Sequence, residues 1–181
     1  MTLVELMVAI SMFGVITVVI FTFLTNSRAS YSDMSSKVEY QQSMRAVLGL
    51  VSREVRSAGC DPLQAGFDHC ALATATTCEF RMDLDGDGMI EVAEPAEDVT
   101  YSWDPNTETL LRDNGAGAQV ILRDVTALQF RYFDATGAAL ASLPLTIVDR
   151  GRVRFLEIDI TGRSERGEPL NYVTRVFVRN G

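Results

Sequence analysis

The chain has 181 residues, 47% hydrophobic and 22% charged, with a formal net charge of −8 at pH 7, which suits one domain with a core of its own. Beyond residue 60 it carries twenty acids against eleven Arg and no Lys, and an acidic body without a basic stripe argues against nucleic acid as a direct partner. One His, no G-x-S-x-G elbow and no phosphate loop leave no case for nucleophilic or phosphoryl-transfer catalysis, so no enzymatic activity is expected.

Residues 1–27 hold a single charge, Glu5, and residues 6–27 read LMVAISMFGVITVVIFTFLTNS. A helix rises ~1.5 Å per residue, so about 20 such residues cross the ~30 Å hydrocarbon layer of a bilayer. A secretory signal would begin with basic residues and end in a small-residue cleavage site; neither is present. A plain membrane anchor would explain everything except Glu5. A carboxylate inside an apolar span costs a few kcal/mol unless it is paired. The expected partner is an α-amino group, supplied by a neighbouring chain shifted by about one turn, so that the charge is satisfied only in an assembly.

The helix is predicted to continue through residues 28–58 as an amphipathic half packed on the body. No proline precedes Pro62, and Met34, Val38, Gln41, Met44, Leu48, Val51 and Val55 recur at spacings of three and four, the stripe of an amphipathic helix. Ser57-Ala58-Gly59 and Asp61-Pro62 form a stop signal. One helix of about 55 residues would be about 80 Å long.

The opening MTLVELMVAISMFGVI resembles the mature N-terminus of type IV pilins and type II secretion pseudopilins. The resemblance implies that a leader has been cut by a prepilin peptidase, that Met1 is the N-methylated first residue, and that Glu5 guides assembly. Thr22 stands where major pilins of the family often carry proline, which suits a minor pilin. The body runs at 83–88, 98–105 and 125–133 (DLDGDG, DVTYSWDP and VTALQFRYF) are similar to PilW-type minor pilins and to pseudopilin J of type II secretion. The partners implied are a major pilin, other minor pilins and a tip adhesin. The location implied is the bacterial inner membrane with a periplasmic body, then a surface filament. The alternatives are a type II secretion pseudopilus subunit and a membrane-anchored calcium-binding module.

Residues 59–77 read as a loop region. Beyond them, short strands are predicted at 77–82, 99–103, 109–112 and 119–122, then an alternating strand around Leu128, Phe130 and Tyr132. A further strand spans Val153 to Ile160, with a change of phase explained by a bulge or by burial on both faces. A last strand spans Tyr172 to Arg179. Arg150, Arg152 and Arg154 alternate as if on one solvated strand face. Residues 59–181 thus form a β-rich domain, and the whole is α+β: a long helix on a mainly antiparallel sheet.

Residues 83–94, DLDGDGMIEVAE, fit the calcium-loop pattern D-x-[DN]-x-[DN]-G-x5-E. Ca²⁺ takes six to eight oxygens. Asp83, Asp85 and Asp87 would give side-chain oxygens and Met89 its carbonyl. Glu91 would give a direct or water-bridged contact and Glu94 a bidentate carboxylate. Gly88 allows the sharp turn, and Ile90 is expected to point inward. Seven acids fall between residues 83 and 98 with no base among them, so the loop repels itself without a cation; a solvated acidic turn is the alternative. Cys70 and Cys78 would close a small disulfide loop in an oxidising compartment, leaving Cys60 over; three free thiols are the alternative. His69 lacks the companions of a zinc site. Tyr101, Trp103, Phe130, Tyr132, Phe133 and Phe155 read as core.

Overall fold

The computed structural model describes residues 2–91, 96–164 and 167–180, the side chains at 29, 30, 32 and 33 excepted. The chain divides into two compact units, Met1–Tyr40 and Gln41–Gly181. Helix α1, Leu3–Ser57, runs through both.

In the first unit α1 carries an apolar stretch, Leu3–Arg28, of 26 residues with none of its core window buried. It is long and apolar enough to span a membrane. Its hydroxyls are satisfied within the helix: Thr17 donates to the Phe13 carbonyl at 2.8 Å, Thr22 to Val18 at 2.8 Å and Thr25 to Phe21 at 3.1 Å. A hydroxyl bonded in this way leaves no polar group for lipid to solvate, which is how the segment holds Ser11, Thr17, Thr22 and Thr25 and stays apolar outside. The hydrophobic stripe read from the sequence buries only its later members. Met34 and Val38 are exposed, whereas Met44, Val47, Leu48, Val51 and Val55 are buried in the second unit.

Helix α1 stops where the sequence signals it. Gly59 has φ +73°, and a Cβ there would lie 2.6 Å from the Asn180 carbonyl oxygen, so both conformation and space demand glycine. Its N–H donates to Arg81 O at 2.8 Å, which turns the chain onto the sheet.

The β-rich body holds two antiparallel sheets where the sequence suggested one. The first is a five-stranded meander: β1 (Cys70–Ala73), β2 (Thr77–Arg81), β3 (Asp98–Asp104), β4 (Thr109–Asp113) and β5 (Gln119–Leu122). The second joins β6 (Val125–Phe133), β7 (Phe155–Arg163) and β8 (Pro169–Phe177), with a short helix α2 (Ile147–Arg150) between β6 and β7. Val99 and Tyr101 point inward on β3, Phe130 and Tyr132 on β6, and Leu156, Ile158 and Ile160 on β7. These residues alternate with half-exposed neighbours, as strands with one buried face do. The sheets are tied by Phe130 N–H to Ala75 O at 2.8 Å, Tyr132 Oη to Thr74 O at 2.9 Å and Trp103 Nε1 to Val125 O at 2.9 Å.

Four further expectations are corrected. Cys70–Ala73 is a strand inside the stretch read as loop. Val153 is buried but lies ahead of β7, so the change of phase is a strand boundary and not a bulge. Phe155 faces the other side of that sheet, against Phe177 with ring centroids 5.3 Å apart, while the Arg175 guanidinium stacks 3.8 Å from the Phe133 ring centroid. Arg150, Arg152 and Arg154 do not share a strand. Arg150 closes α2, Arg152 pairs with Asp134 and Asp149 at 3.2 Å each, and Arg154 donates to backbone carbonyls of Gly151 and Val153. Of the six aromatics read as core, Tyr101, Phe130 and Tyr132 are buried, and Trp103, Phe133 and Phe155 are half-buried.

One polar contact fixes α1 to the first sheet within the body. The Glu54 carboxylate accepts Tyr101 Oη–H and two guanidinium N–H groups of Arg112, at 3.1 and 2.8 Å. Carboxylate and guanidinium are both mostly shielded from solvent, a bidentate arrangement that sets register as well as affinity.

Candidate functional site

Two features outside the core carry unusual chemistry: the start of α1 and the acidic loop. At the start of α1, Glu5 Oε2 accepts the backbone N–H of Thr2 at 2.8 Å, and Thr2 Oγ1 accepts the N–H of Glu5 at 3.3 Å. This is a capping box: each residue satisfies a backbone donor that the first helical turn leaves free. One Glu5 oxygen is thus used within its own chain by a neutral backbone donor, which is not the α-amino cation expected of a neighbouring chain. The sequence signal for it is the spacing Thr2-x-x-Glu5. Met1 lies outside the described residues.

The acidic loop follows Met82, whose N–H donates to Glu97 O at 2.9 Å. Asp83 is fully buried. Its Oδ1 accepts Gly86 N–H at 2.6 Å and its Oδ2 accepts Gly88 N–H at 2.9 Å. Gly86 and Gly88 have φ of +82° and +83°, conformations that glycine reaches without strain. Asp85 Oδ1 accepts Asp87 N–H at 3.1 Å, and Asp87 Oδ1 accepts Met89 N–H at 2.7 Å. Loop amides thus turn inward toward carboxylates at each step.

Glu97 completes the cluster. Its carboxylate is fully buried and accepts the N–H groups of Leu84 at 2.6 Å, Asp85 at 3.2 Å and Glu91 at 3.2 Å. One oxygen from each of Asp83, Asp85 and Glu97 falls within 4.8 Å of the others. Among the described residues no guanidinium balances them: nearby Arg81 is held by Glu79 at 2.8 Å and Asp98 at 3.0 Å. The Asp87 carboxylate, together with partial burial and the charges of Asp85, Glu97 and Asp83, raises the Glu91 carboxyl above its ordinary range, a sign of the negative field the loop creates.

Of the expected calcium ligands, Asp83 and Asp85 are brought together. Asp87 lies on the exposed side of the loop, Met89 is 65% exposed, Ile90 and Glu91 are half-buried, and Glu94 lies outside the described residues. Glu97 was counted among the acids but not as a ligand. Strand parity marks it: residues 97, 99 and 101 are all buried, so Glu97 shares the inward phase of Val99 and Tyr101. The donor set is three carboxylates, the hard oxygen ligands that suit a calcium-type ion; Glu97 Oε1 is taken up by two N–H groups, while Glu97 Oε2 and both Asp83 oxygens accept one each and keep a lone pair for a metal.

The three cysteines are free thiols, and the Cys70–Cys78 bond is not formed. Burial pushes the Cys70 thiol up to about 12 and the Cys78 thiol well above its ordinary value, so both are inert as nucleophiles. His69 is buried with Nε2 3.2 Å from the Val153 carbonyl. Among the described residues it joins no metal-capable cluster.

No protein-family model matches the chain, and no curated protein matches it.

Proposed function

We propose that this chain is a subunit of the type IV pilin kind, a minor pilin that enters or primes a filament through the first half of α1. It sits in the inner membrane with its body in the periplasm until it is assembled. The observation that carries this is the apolar, unburied stretch Leu3–Arg28 with one ionisable residue at its start. An apolar helix of that length needs lipid or other helices around it. The α+β body with antiparallel sheets agrees with such a subunit, and no catalytic constellation is assigned. Its partners in this proposal are a major pilin, other minor pilins and a tip adhesin; a type II secretion pseudopilus would use the same parts. Ca²⁺ held by Asp83, Asp85 and Glu97 would neutralise the loop and stiffen it, a structural role without chemistry on a substrate.

The capping box favours a second reading, in which α1 is only an anchor for a calcium-binding body and Glu5 serves the helix end. Two substitutions separate them. Glu5→Gln keeps a capping-box side chain but removes the charge, and Glu5→Ala removes both. Filaments sheared from cells are probed for the chain by immunoblot, with membrane levels as control. Loss of the chain from filaments in both variants, at unchanged membrane levels, supports assembly through the charge. Full incorporation of Glu5→Gln leaves Glu5 as a cap and removes its charge from assembly, whereas absence of the native chain from filaments favours the anchor.

A further inference from the structure

Four arginines line one groove of the body without a carboxylate to hold them. Arg45, Arg53 and Arg56 come from α1, Arg179 follows β8, and all four are exposed. None forms an ion pair among the described residues, whereas Arg81, Arg112, Arg131, Arg152 and Arg163 are each matched to acids. In a chain of net charge −8, this is a local reversal of sign. The groove is open, with a volume of about 1100 Å³, just above the ~300–1,000 Å³ typical of small-molecule pockets.

The opposite wall is the edge of a sheet. β8 pairs with β7 alone and ends its sheet. Tyr172, Val173 and Thr174 all line the groove. Side chains of a strand alternate between faces, so three consecutive residues meet one space only along the strand's edge. Among the described residues, no backbone group of β8 bonds to anything beyond β7, which leaves a nine-residue strand with an open edge. Such an edge is a template for another extended chain.

We propose that this groove binds an extended, carboxylate-rich segment of a partner protein, which adds to β8 as a fourth strand and presents its acids to the arginines. From residue 45 to residue 56 the helix advances ~16 Å, the length of about five residues of extended chain. A row of cations of that length fits several carboxylates in series better than one small anion. The free strand edge offers hydrogen bonds that a peptide backbone returns and a nucleic acid does not, and Tyr172 is the one aromatic in the groove lining, too little for a base-stacking surface. The acidic loop lines the groove only through Leu84; the site uses neither Glu5 nor a carboxylate of that loop, so it stands or falls independently of the filament proposal.

The test uses the full chain in nonionic detergent micelles and fluorescence anisotropy with a labelled peptide of about twelve residues alternating Glu and Val. Controls are a Gln-for-Glu counterpart and two peptides N-methylated at alternate amides, each blocking the hydrogen bonds of one edge. The expected result is saturable binding of the Glu peptide. It weakens about tenfold in Arg53→Gln/Arg56→Gln, a change at two exposed, unpaired positions that leaves the fold intact. Binding is also lost with one of the two N-methylated peptides. The proposal is overturned if the Glu peptide does not bind at millimolar concentration or binds the double variant equally well. It is overturned equally if both N-methylated peptides bind like the parent, or if an oligothymidine of equal charge binds as tightly.

Discussion

At the scale of single residues, Glu54 is the side chain whose loss should be felt most. Its carboxylate serves both Tyr101 and Arg112, and removing it leaves a phenol and a guanidinium in a shielded place without an acceptor. Glu54→Ala is expected to destabilise the body by about 2–3 kcal/mol, read as a lower denaturation midpoint in urea. Arg112→Ala should cost a similar amount, and the double variant less than the sum. His69 sets a pH dependence. Burial holds its imidazole below the ordinary 6.5, with the Val153 carbonyl opposing and the Arg154 charge assisting. Below pH 6.5 the unfolded chain therefore binds a proton that the folded chain refuses. Stability should fall as pH drops from 6.5 toward the lowered folded value, by no more than about 1.4 kcal/mol per pH unit. Melting midpoints at pH 7.5 and 5.5 should differ in the native chain, with a smaller difference in His69→Gln. Asp134, held below its ordinary range chiefly by the Thr136 hydroxyl, acts in a separate window: its stabilisation is present above pH 3.8 and is lost in stronger acid.

At the scale of elements, the acidic loop shows how far the pattern of residues reaches. The spacing Asp83, Asp85, Gly88 marked a loop wound around carboxylates, and the turn glycines and inward amides are found there. The motif, which counts along the chain, points to Glu94, which lies outside the described residues; the buried acid among those described is chosen by strand phase, which places Glu97 in line with Val99. Millimolar Ca²⁺ is expected to raise the melting midpoint of the native chain by several degrees, a shift of about 1–3 kcal/mol by mass action. Asp83→Asn should abolish that shift and, because its amide nitrogen faces a backbone N–H, lower the calcium-free midpoint as well. An unchanged midpoint in native protein would remove calcium from the proposal. Strands with one buried face, such as β6 and β7, were readable from alternation. β1 was not, since Cys-Ala-Leu-Ala has no polar alternation to announce it. The division into two sheets was hidden as well, because it depends on which strands lose their neighbours at Leu122–Val125 and not on any strand's composition.

At the scale of the whole molecule, the two units divide the chemistry. The first holds the lipid-compatible helix, and the second holds the buried core, the Glu54 contact, the acid cluster and the groove. A chain beginning at residue 41 is expected to stay in solution without detergent after high-speed centrifugation, where the full chain sediments with membranes. It should retain any calcium-dependent shift of its melting midpoint. The long helix and its end at Gly59 were evident from the absence of proline and from the stop signal. How little of its amphipathic half would be buried was not, because Met34 and Val38 have the same spacing as Met44 and Val51, and only the extent of the body decides which of them are covered.

The hydrogen bond between Glu5 and Thr2 changes what joining a polymer would mean for this protein. One oxygen of that acid is already served at home, while its charge still lacks a counterpart. In a fibre of the kind proposed, a stranger's ammonium would supply at the second oxygen what a neutral amide cannot. The home turn would stay closed throughout, so a piece released from the fibre would return to the pool with its first turn intact.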